Sequence, residues 1–457
     1  MDCFVKSSVK ANVLHVVSSG NYKQWLKSQP AATRHSLADF KPEPSHHSRF
    51  ADAEGKFSNA VAVTHDPPQL YDLSALPMSL PEGAYRIAGS LPPTTANLLT
   101  LGWALGAYQF TRYKKPVRQP AQLAWPAEAD KTKVIAMATA IHQGRDLINT
   151  PAEDMGPAEL EAAIRSVAKD HGAKVSVTTG DALLKQNFPL IHAVGRASPR
   201  APRLVQLRWG NPKHPRVALV GKGVCFDTGG LDLKPSSAMY LMKKDMGGAA
   251  SALAAASMIM AHKLPVCLHL LIPTADNAVS GNAFRPTDIF RARNGLTIEI
   301  GNTDAEGRLL LADALALAVE EKPELVIDFA TLTGAARTAL GTGLPALFCN
   351  DDGLADQLQS ISRQQHDPVW RLPLEASYRG ELKAKIADLN SAPNSAYAGA
   401  ITAALFLEHF IGRTRWVHID MMGWNLGGKP GRPEGGEPMV ARTVLALMQQ
   451  LYGAAKT

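Results

Sequence analysis

Cysteine is scarce in this chain. Cys3, Cys225, Cys267 and Cys349 are the full complement among 457 residues, and no two of them stand in a C-x-x-C pair. That argues against a disulfide scaffold. Cys267 and Cys349 sit in apolar, strand-like runs, where cysteine serves as a small buried hydrophobe. A reducing, cytoplasmic location is the expectation. Long hydrophobic runs are missing too: no stretch approaches the roughly 18 apolar residues that cross a bilayer. The first residues carry an acid, Asp2, and only a short apolar run from Val13 to Val17. Neither a signal peptide nor a membrane partner is expected. Clustered basic charge is also lacking. The formal net charge is +7, yet the lysines and arginines are scattered with no run of five, which reads as a mildly basic surface. There is no low-complexity tract, and no internal repeat of roughly 20 to 50 residues.

What is present is ordinary globular material, 46% hydrophobic and 19% charged. The length exceeds one ordinary core, so two domains are expected. Residues 1–125 read as a smaller N-terminal α/β domain with an assembly or regulatory role. Within it, Lys41 to Ser48 is rich in Pro and His and reads as a loop. Pro92 and Pro93, followed by Thr94 and Thr95, fit a helix start with a threonine as cap. Residues 115–130, rich in Pro, Gln and Ala, look like a connection. A helical pattern then runs from Lys131 to about Ile148, where Asn149-Thr-Pro stops it. Residues 126–150 are therefore expected to be linker and connecting helix.

Residues 151–457 alternate strand and helix patterns. Strands are expected at Arg216 to Val220, Val266 to Ile272, Leu296 to Ile300, Leu325 to Phe329 and Trp416 to Ile419, with helices at Gly248 to His262 and Gly307 to Glu321. The strands are short, apolar and mostly β-branched, as in strands buried on both faces. The expectation is a larger α/β domain with a mixed, largely parallel sheet flanked by helices. In such sheets ligands bind beyond the carboxyl ends of the strands.

Four segments there concentrate acids, lysines and glycines: Val220-Gly-Lys-Gly-Val-Cys-Phe-Asp-Thr-Gly-Gly-Leu-Asp-Leu-Lys-Pro, Met242-Lys-Lys-Asp-Met-Gly-Gly-Ala-Ala, Asn277-Ala-Val-Ser-Gly-Asn-Ala-Phe-Arg-Pro-Thr-Asp and Gly301-Asn-Thr-Asp-Ala-Glu-Gly-Arg-Leu. In the last, Asp304 and Glu306 stand two apart and share a side if the segment is extended. Two such carboxylates repel unless something cationic lies between them, and hard divalent cations prefer oxygen ligands. A helix N-cap pair is the common alternative for a lone D-x-E before a helix. Lys222 in the first segment does not stand in the order of a phosphate-binding loop, and a lone lysine is more often a surface charge.

Taken together, the four segments resemble the signatures of the leucyl aminopeptidase family of dinuclear metallopeptidases. Asn302-Thr-Asp-Ala-Glu-Gly-Arg-Leu is complete, and Ser280-Gly-Asn-Ala-Phe-Arg-Pro-Thr-Asp, Asp328-Phe-Ala-Thr-Leu-Thr-Gly-Ala, Gly399-Ala-Ile-Thr-Ala-Ala-Leu-Phe-Leu and Trp416-Val-His-Ile-Asp follow the same pattern over residues 145 to 450. The resemblance implies two divalent ions per subunit, Mn²⁺ or Zn²⁺. Asp227 and Glu306 would bridge them, Lys222 and Asp245 would complete one site, and Asp304 the other. It implies Lys234 as a catalytic cation, and Arg308 and Leu332 as contacts for a bicarbonate acting as general base. Met242, Thr331 and Gly334 would line the pocket for the N-terminal side chain. Four carboxylates balance two dications if Lys222 binds as a neutral amine.

The activity implied is release of N-terminal residues, leucine and other apolar ones, from peptides, in a cytoplasmic homohexamer. A nucleic-acid-binding regulator and an inactive scaffold are the alternatives. Cys225 reads as packing. Asp232 and Asp276 receive no role, and His262, His269 and His418 read as structural.

Overall fold

The computed structural model describes residues 1–7, 9–52, 55–393 and 395–453. The chain forms two compact units: Met1–His142 with Gly427–Glu434, and Gln143–Leu426 with the chain from Gly435 onward. The division falls inside the helix Lys131–Asn149. The return of 427–434 to the first unit has no local signal in the sequence.

The first unit holds a six-stranded sheet in the order β1-β6-β5-β2-β4-β3. Its strands are β1 (Phe4–Val5), β2 (Asn12–Ser18), β3 (His47–Phe50), β4 (Asn59–Thr64), β5 (Ala84–Ile87) and β6 (Gln122–Ala124). All neighbours are parallel except β3, which is antiparallel to β4. Three local expectations are corrected. The 115–130 segment is not only a connection, because Gln122–Ala124 pairs between β1 and β5. A three-residue strand between Pro120 and Pro126 shows no readable period; its neighbours specify it. The loop expected to Ser48 ends at His46, where β3 begins. The helix Pro93–Gly106 is preceded by Pro92 with no side-chain cap, so no threonine caps it.

The second unit holds a nine-stranded sheet in the order β16-β15-β18-β14-β9-β11-β8-β7, with β10 added beside the end of β11. The ranges are β7 Lys174–Thr179, β8 Arg203–Trp209, β9 Arg216–Gly221, β10 Gly223–Asp227, β11 Cys267–Asn277, β14 Leu325–Ala330, β15 Ala346–Cys349, β16 Trp370–Arg371 and β18 Trp416–Asp420. The centre, β18-β14-β9-β11, is parallel, and β8, β7 and β15 join antiparallel. The sheet is thus mixed with a parallel heart, as expected. One expected strand lies elsewhere: β13 (Thr297–Glu299) pairs with β12 (Ile289–Arg291) and β17 (Leu389–Asn390) in a small sheet of its own.

The helix Gly247–Ala261 is apolar nearly all round and buried on nearly every side, as a helix inside a core must be. Its alanines and glycines let it approach the sheet closely. No helix of the described residues is long and apolar enough to cross a membrane.

One buried acid ties the helices of this unit together. Asp313, in the helix Glu306–Glu320, accepts the Leu190 N–H at 2.8 Å and the Ile191 N–H at 3.3 Å on one oxygen, and the Arg293 N–H at 3.0 Å on the other. It does for the helix Pro189–Gly195 what an N-cap does locally. Asp313→Ala leaves these donors without an acceptor and should cost on the order of 3 kcal/mol or more, read as a lowered urea midpoint. Asp313→Asn keeps one acceptor oxygen and should cost clearly less.

Candidate metal centre

The chemistry gathers past the ends of the parallel strands. Lys222 follows β9, and Asp227 ends β10. Asp245 stands in the 3-10 turn Met242–Met246 before the helix Gly247–Ala261. Asp304 stands in the turn Thr303–Ala305, and Glu306 opens the helix Glu306–Glu320. The segment around Asp304 and Glu306 is a tight turn running into a helix, so the extended geometry expected for the pair does not hold. Neither acid is a cap: Ala305 precedes the helix, and Asn302 accepts the Asp304 N–H at 2.7 Å.

Every residue the sequence pointed to lines one cleft of about 570 Å³: Lys222, Asp227, Lys234, Met242, Asp245 and Asp304, together with Glu306, Arg308, Thr331, Leu332 and Gly334. Among the described residues, Asp227, Asp245 and Glu306 form the one group of three acids, histidines or cysteines that could hold a metal ion, with oxygens within 4.8 Å of one another. Lys222 Nζ lies 2.7 Å from Asp245 Oδ2 and 3.0 Å from Glu306 Oε1. Lys234 Nζ lies 2.9 Å from Asp227 Oδ2 and also pairs with Asp304. These two ammonium groups, with Lys244 3.6 Å from Asp245 Oδ1, are the positive charges paired with the acids in this structure.

The acids compete for that charge. Burial works against the Asp245 carboxylate, but Lys222 and Lys244 outweigh it and hold it down at about 2. Burial, then Asp227, pushes Glu306 up to about 8. The same two causes push Asp304 up to about 6. For Lys222 burial opposes the charged form, yet Asp245, Glu306 and Asp227 together raise its titration. The amine is therefore charged as the side chains stand, and only added cations would make it neutral. A buried group of oxygens with too little positive charge fits hard divalent cations.

Other residues aim the acids. Asn277 donates to Asp227 Oδ1 at 2.9 Å and to the Thr303 carbonyl at 3.0 Å. Its register opposite Asp227 in the β10–β11 pair puts it there. Thr331 Oγ1 donates to Asp245 Oδ1 at 2.7 Å. Asp232 accepts the Thr303 N–H at 2.7 Å, stapling two site loops. Sequence reasoning gave Asn277 and Asp232 no role, although both stand in the quoted segments.

Lys244 was missed as well. It is fully buried, 3.6 Å from Asp245 Oδ1, and burial lowers it to about 8. The Arg308 guanidinium donates to the Ser391 carbonyl at 2.7 Å and keeps a buried Nε without a protein partner, as an anion contact would. Leu332, expected beside it, donates its amide N–H to Asp420 Oδ1 at 3.0 Å, so that amide is already committed. Cys225 is buried against Thr274, and burial pushes its thiol up to about 12. Asp276 pairs with Arg200 at 2.7 Å.

Gly307 lets the centre close. A methyl group there would lie 2.4 Å from Cε and 2.7 Å from Nζ of Lys222. Lys222 is buried between two carboxylates and has nowhere to go. Gly307→Ala favours the helix but should drive Lys222 off Asp245 and Glu306. The expected outcome is divalent-metal affinity lowered by roughly tenfold or more, measured by titration calorimetry, with an unchanged far-UV spectrum.

Comparison with known proteins agrees with this geometry. Residues 142–447 match the model of the cytosol aminopeptidase family, catalytic domain. Residues 13–126 match the M17 aminopeptidase, N-terminal domain. Peptidase B of Enterobacter sp. (strain 638) is 46% identical over 383 residues, 81% of this chain and 90% of that protein. The probable cytosol aminopeptidase of Rhodococcus opacus (strain B4) is 38% identical over 78% of this chain and 76% of its own. The crystal structure of the cytosol aminopeptidase from Coxiella burnetii superposes with a TM-score of 0.95 at 45% identity, covering 99% of this chain and 100% of that one. The bottromycin maturation enzyme BotP, in complex with Mn, superposes at 0.86 with 31% identity, covering 97% and 100%. With both family models matched in chain order around an assembled cluster of acids and lysines, the chain belongs to the cytosol aminopeptidase family, as an M17 aminopeptidase.

Proposed function

We propose that this aminopeptidase works with two divalent cations, Mn²⁺ or Zn²⁺. Asp227 and Glu306 would be shared between them, Lys222 and Asp245 would complete one position, and Asp304 the other. The observation that carries the reading is the buried Asp227, Asp245 and Glu306 trio, held beside Lys222 and Lys234 in one cleft. When bound, such a pair supplies an acidified water and a Lewis acid for the scissile carbonyl. Lys234, which lies in the same cleft, would stabilise the developing oxyanion once Asp227 and Asp304 hold cations, a preorganised contribution of roughly 3 kcal/mol. Arg308 would hold the bicarbonate. The family relatives named cytosol aminopeptidase support a cytoplasmic address. A homohexamer remains part of the proposal, to be read from the molar mass in solution.

Met242, Thr331 and Gly334 would receive the N-terminal side chain. The flexible thioether wall suits leucine and other apolar residues. A second reading is favoured by two cations in the same cleft. Lys244 is buried there, and Arg337 keeps a buried Nη1 without a hydrogen-bond partner. They would receive an N-terminal side chain that carries a carboxylate.

Chelation should abolish hydrolysis of leucine amide, and Mn²⁺ or Zn²⁺ should restore it; a restored metal content without restored hydrolysis refutes the reading. A panel of leucine, methionine, aspartate and glutamate amides decides between the pockets. Under the second reading Lys244→Met lowers kcat/KM for glutamate amide relative to leucine amide by roughly tenfold or more. An unchanged ratio leaves the apolar pocket standing.

A further inference from the structure

Two of the motifs contain charged groups outside the centre: Asp328 in Asp328-Phe-Ala-Thr-Leu-Thr-Gly-Ala, and His418 and Asp420 in Trp416-Val-His-Ile-Asp. β14 and β18 are parallel neighbours, with Asp328 opposite His418 and Ala330 opposite Asp420. Residues two apart on a strand share a face, so these groups form one buried stripe along the sheet. Asp328 accepts from Trp416 Nε1 at 2.6 Å and lies 2.6 Å from His418 Nδ1. The His418 ring is stacked against Phe348 and Trp416. Burial opposes its charged form, but Asp328 and, more weakly, Asp420 outweigh that and raise its titration.

Asp420 ends the stripe behind the cleft-lining Leu332 and Thr333. Its Oδ1 accepts the N–H of Leu332 at 3.0 Å and of Thr333 at 3.1 Å, and its Oδ2 accepts the Thr333 hydroxyl at 2.6 Å. Thr333 Oγ1 accepts in turn from the Ala336 N–H at 3.1 Å, in the first turn of the helix Gly334–Leu340. The neighbouring Thr331 is held from the metal side. Its hydroxyl donates to Asp245 Oδ1 at 2.7 Å, and its carbonyl accepts from Lys222 Nζ at 3.2 Å. One short segment, Thr331 to Thr333, is thus fixed between Asp420 and the candidate metal ligands, and it lines the cleft.

We infer that Asp420 is a positioning residue for substrate selection: it fixes the Thr331–Gly334 wall against which the N-terminal side chain packs. The inference rests on the aminopeptidase reading of the cleft. Asp420→Asn keeps one acceptor for the two amides but turns the other position into a donor, so the Thr333 hydroxyl loses its acceptor. Thr333→Val removes the same bond from the other side, and Thr333→Ser keeps it.

The test is the ratio of kcat/KM for leucine amide to that for glycine amide, with unfolding midpoints measured on the same samples. Asp420→Asn and Thr333→Val should each shift the ratio by roughly tenfold or more, chiefly through KM. The double variant should go no further than the stronger single change, and Thr333→Ser should restore the ratio. Folded Asp420→Asn and Thr333→Val proteins with lowered midpoints and the wild-type ratio overturn the inference, while wild-type hydrolysis still upholds the parent reading. If Asp420→Asn does not fold, the contrast between Thr333→Val and Thr333→Ser decides.

Discussion

Crowded negative charge is the constraint around which the second unit is arranged. Asp227, Asp245 and Glu306 are buried within one small volume, where like charges cannot all ionise without cations. Lys222 and Lys234 relieve part of the repulsion, and the relief is unequal. Asp245, nearer to Lys222, keeps its charge easily, while Glu306 and Asp304 are pushed toward their protonated forms. The same crowding explains the small residue at Gly307, where Lys222 must pass close to the helix backbone. Removing one member would leave a buried charge uncompensated, which costs more than the pair contributes.

A parallel sheet supplies such a cluster economically. β9, β11, β14 and β18 are mostly apolar and almost wholly buried, and the groups that do chemistry collect at or just beyond their carboxyl ends. Lys222 follows β9, Thr331 follows β14 and Asp420 ends β18, while Asp227 ends β10 beside the end of β11. The helix starts that follow bring Glu306 and Asp245 to the same side. Register then does the fine placement. Because Asp227 stands opposite Asn277, one amide can hold a carboxylate oxygen and the Thr303 loop at once.

The heart of this arrangement was legible in the sequence, and the reasons are physical. Buried parallel strands must be apolar on both faces, so β9, β14 and β18 stand out as short β-branched runs. The site residues stand in compact segments straight after them. Short strands at the margins were not legible: Gln122–Ala124 has no period of its own, and Thr297–Glu299 gave no sign that it leaves the main sheet. Long-range duties were hidden for the same reason. Asp313 caps a helix more than a hundred residues earlier in the chain, and nothing local announces such a partner. Lys244 follows Lys243 with nothing local to set it apart, and only the fold buries it together with Asp245 and Met246.

These hidden duties share a logic. Carboxylates that must take up cations cannot fix their own positions, because repulsion drives them apart whenever the cations leave. Their placement must come from neutral groups and from charges already balanced elsewhere. Asn277 and Thr331 are the neutral holders of Asp227 and Asp245. Asp420 stands two residues after His418 on the same strand face, and His418 is in turn bonded to Asp328. The contacts of Asp420 to the Leu332 and Thr333 amides and the Thr333 hydroxyl involve none of the candidate metal ligands. Motifs without reacting groups can therefore be as sharply constrained as the ligands themselves.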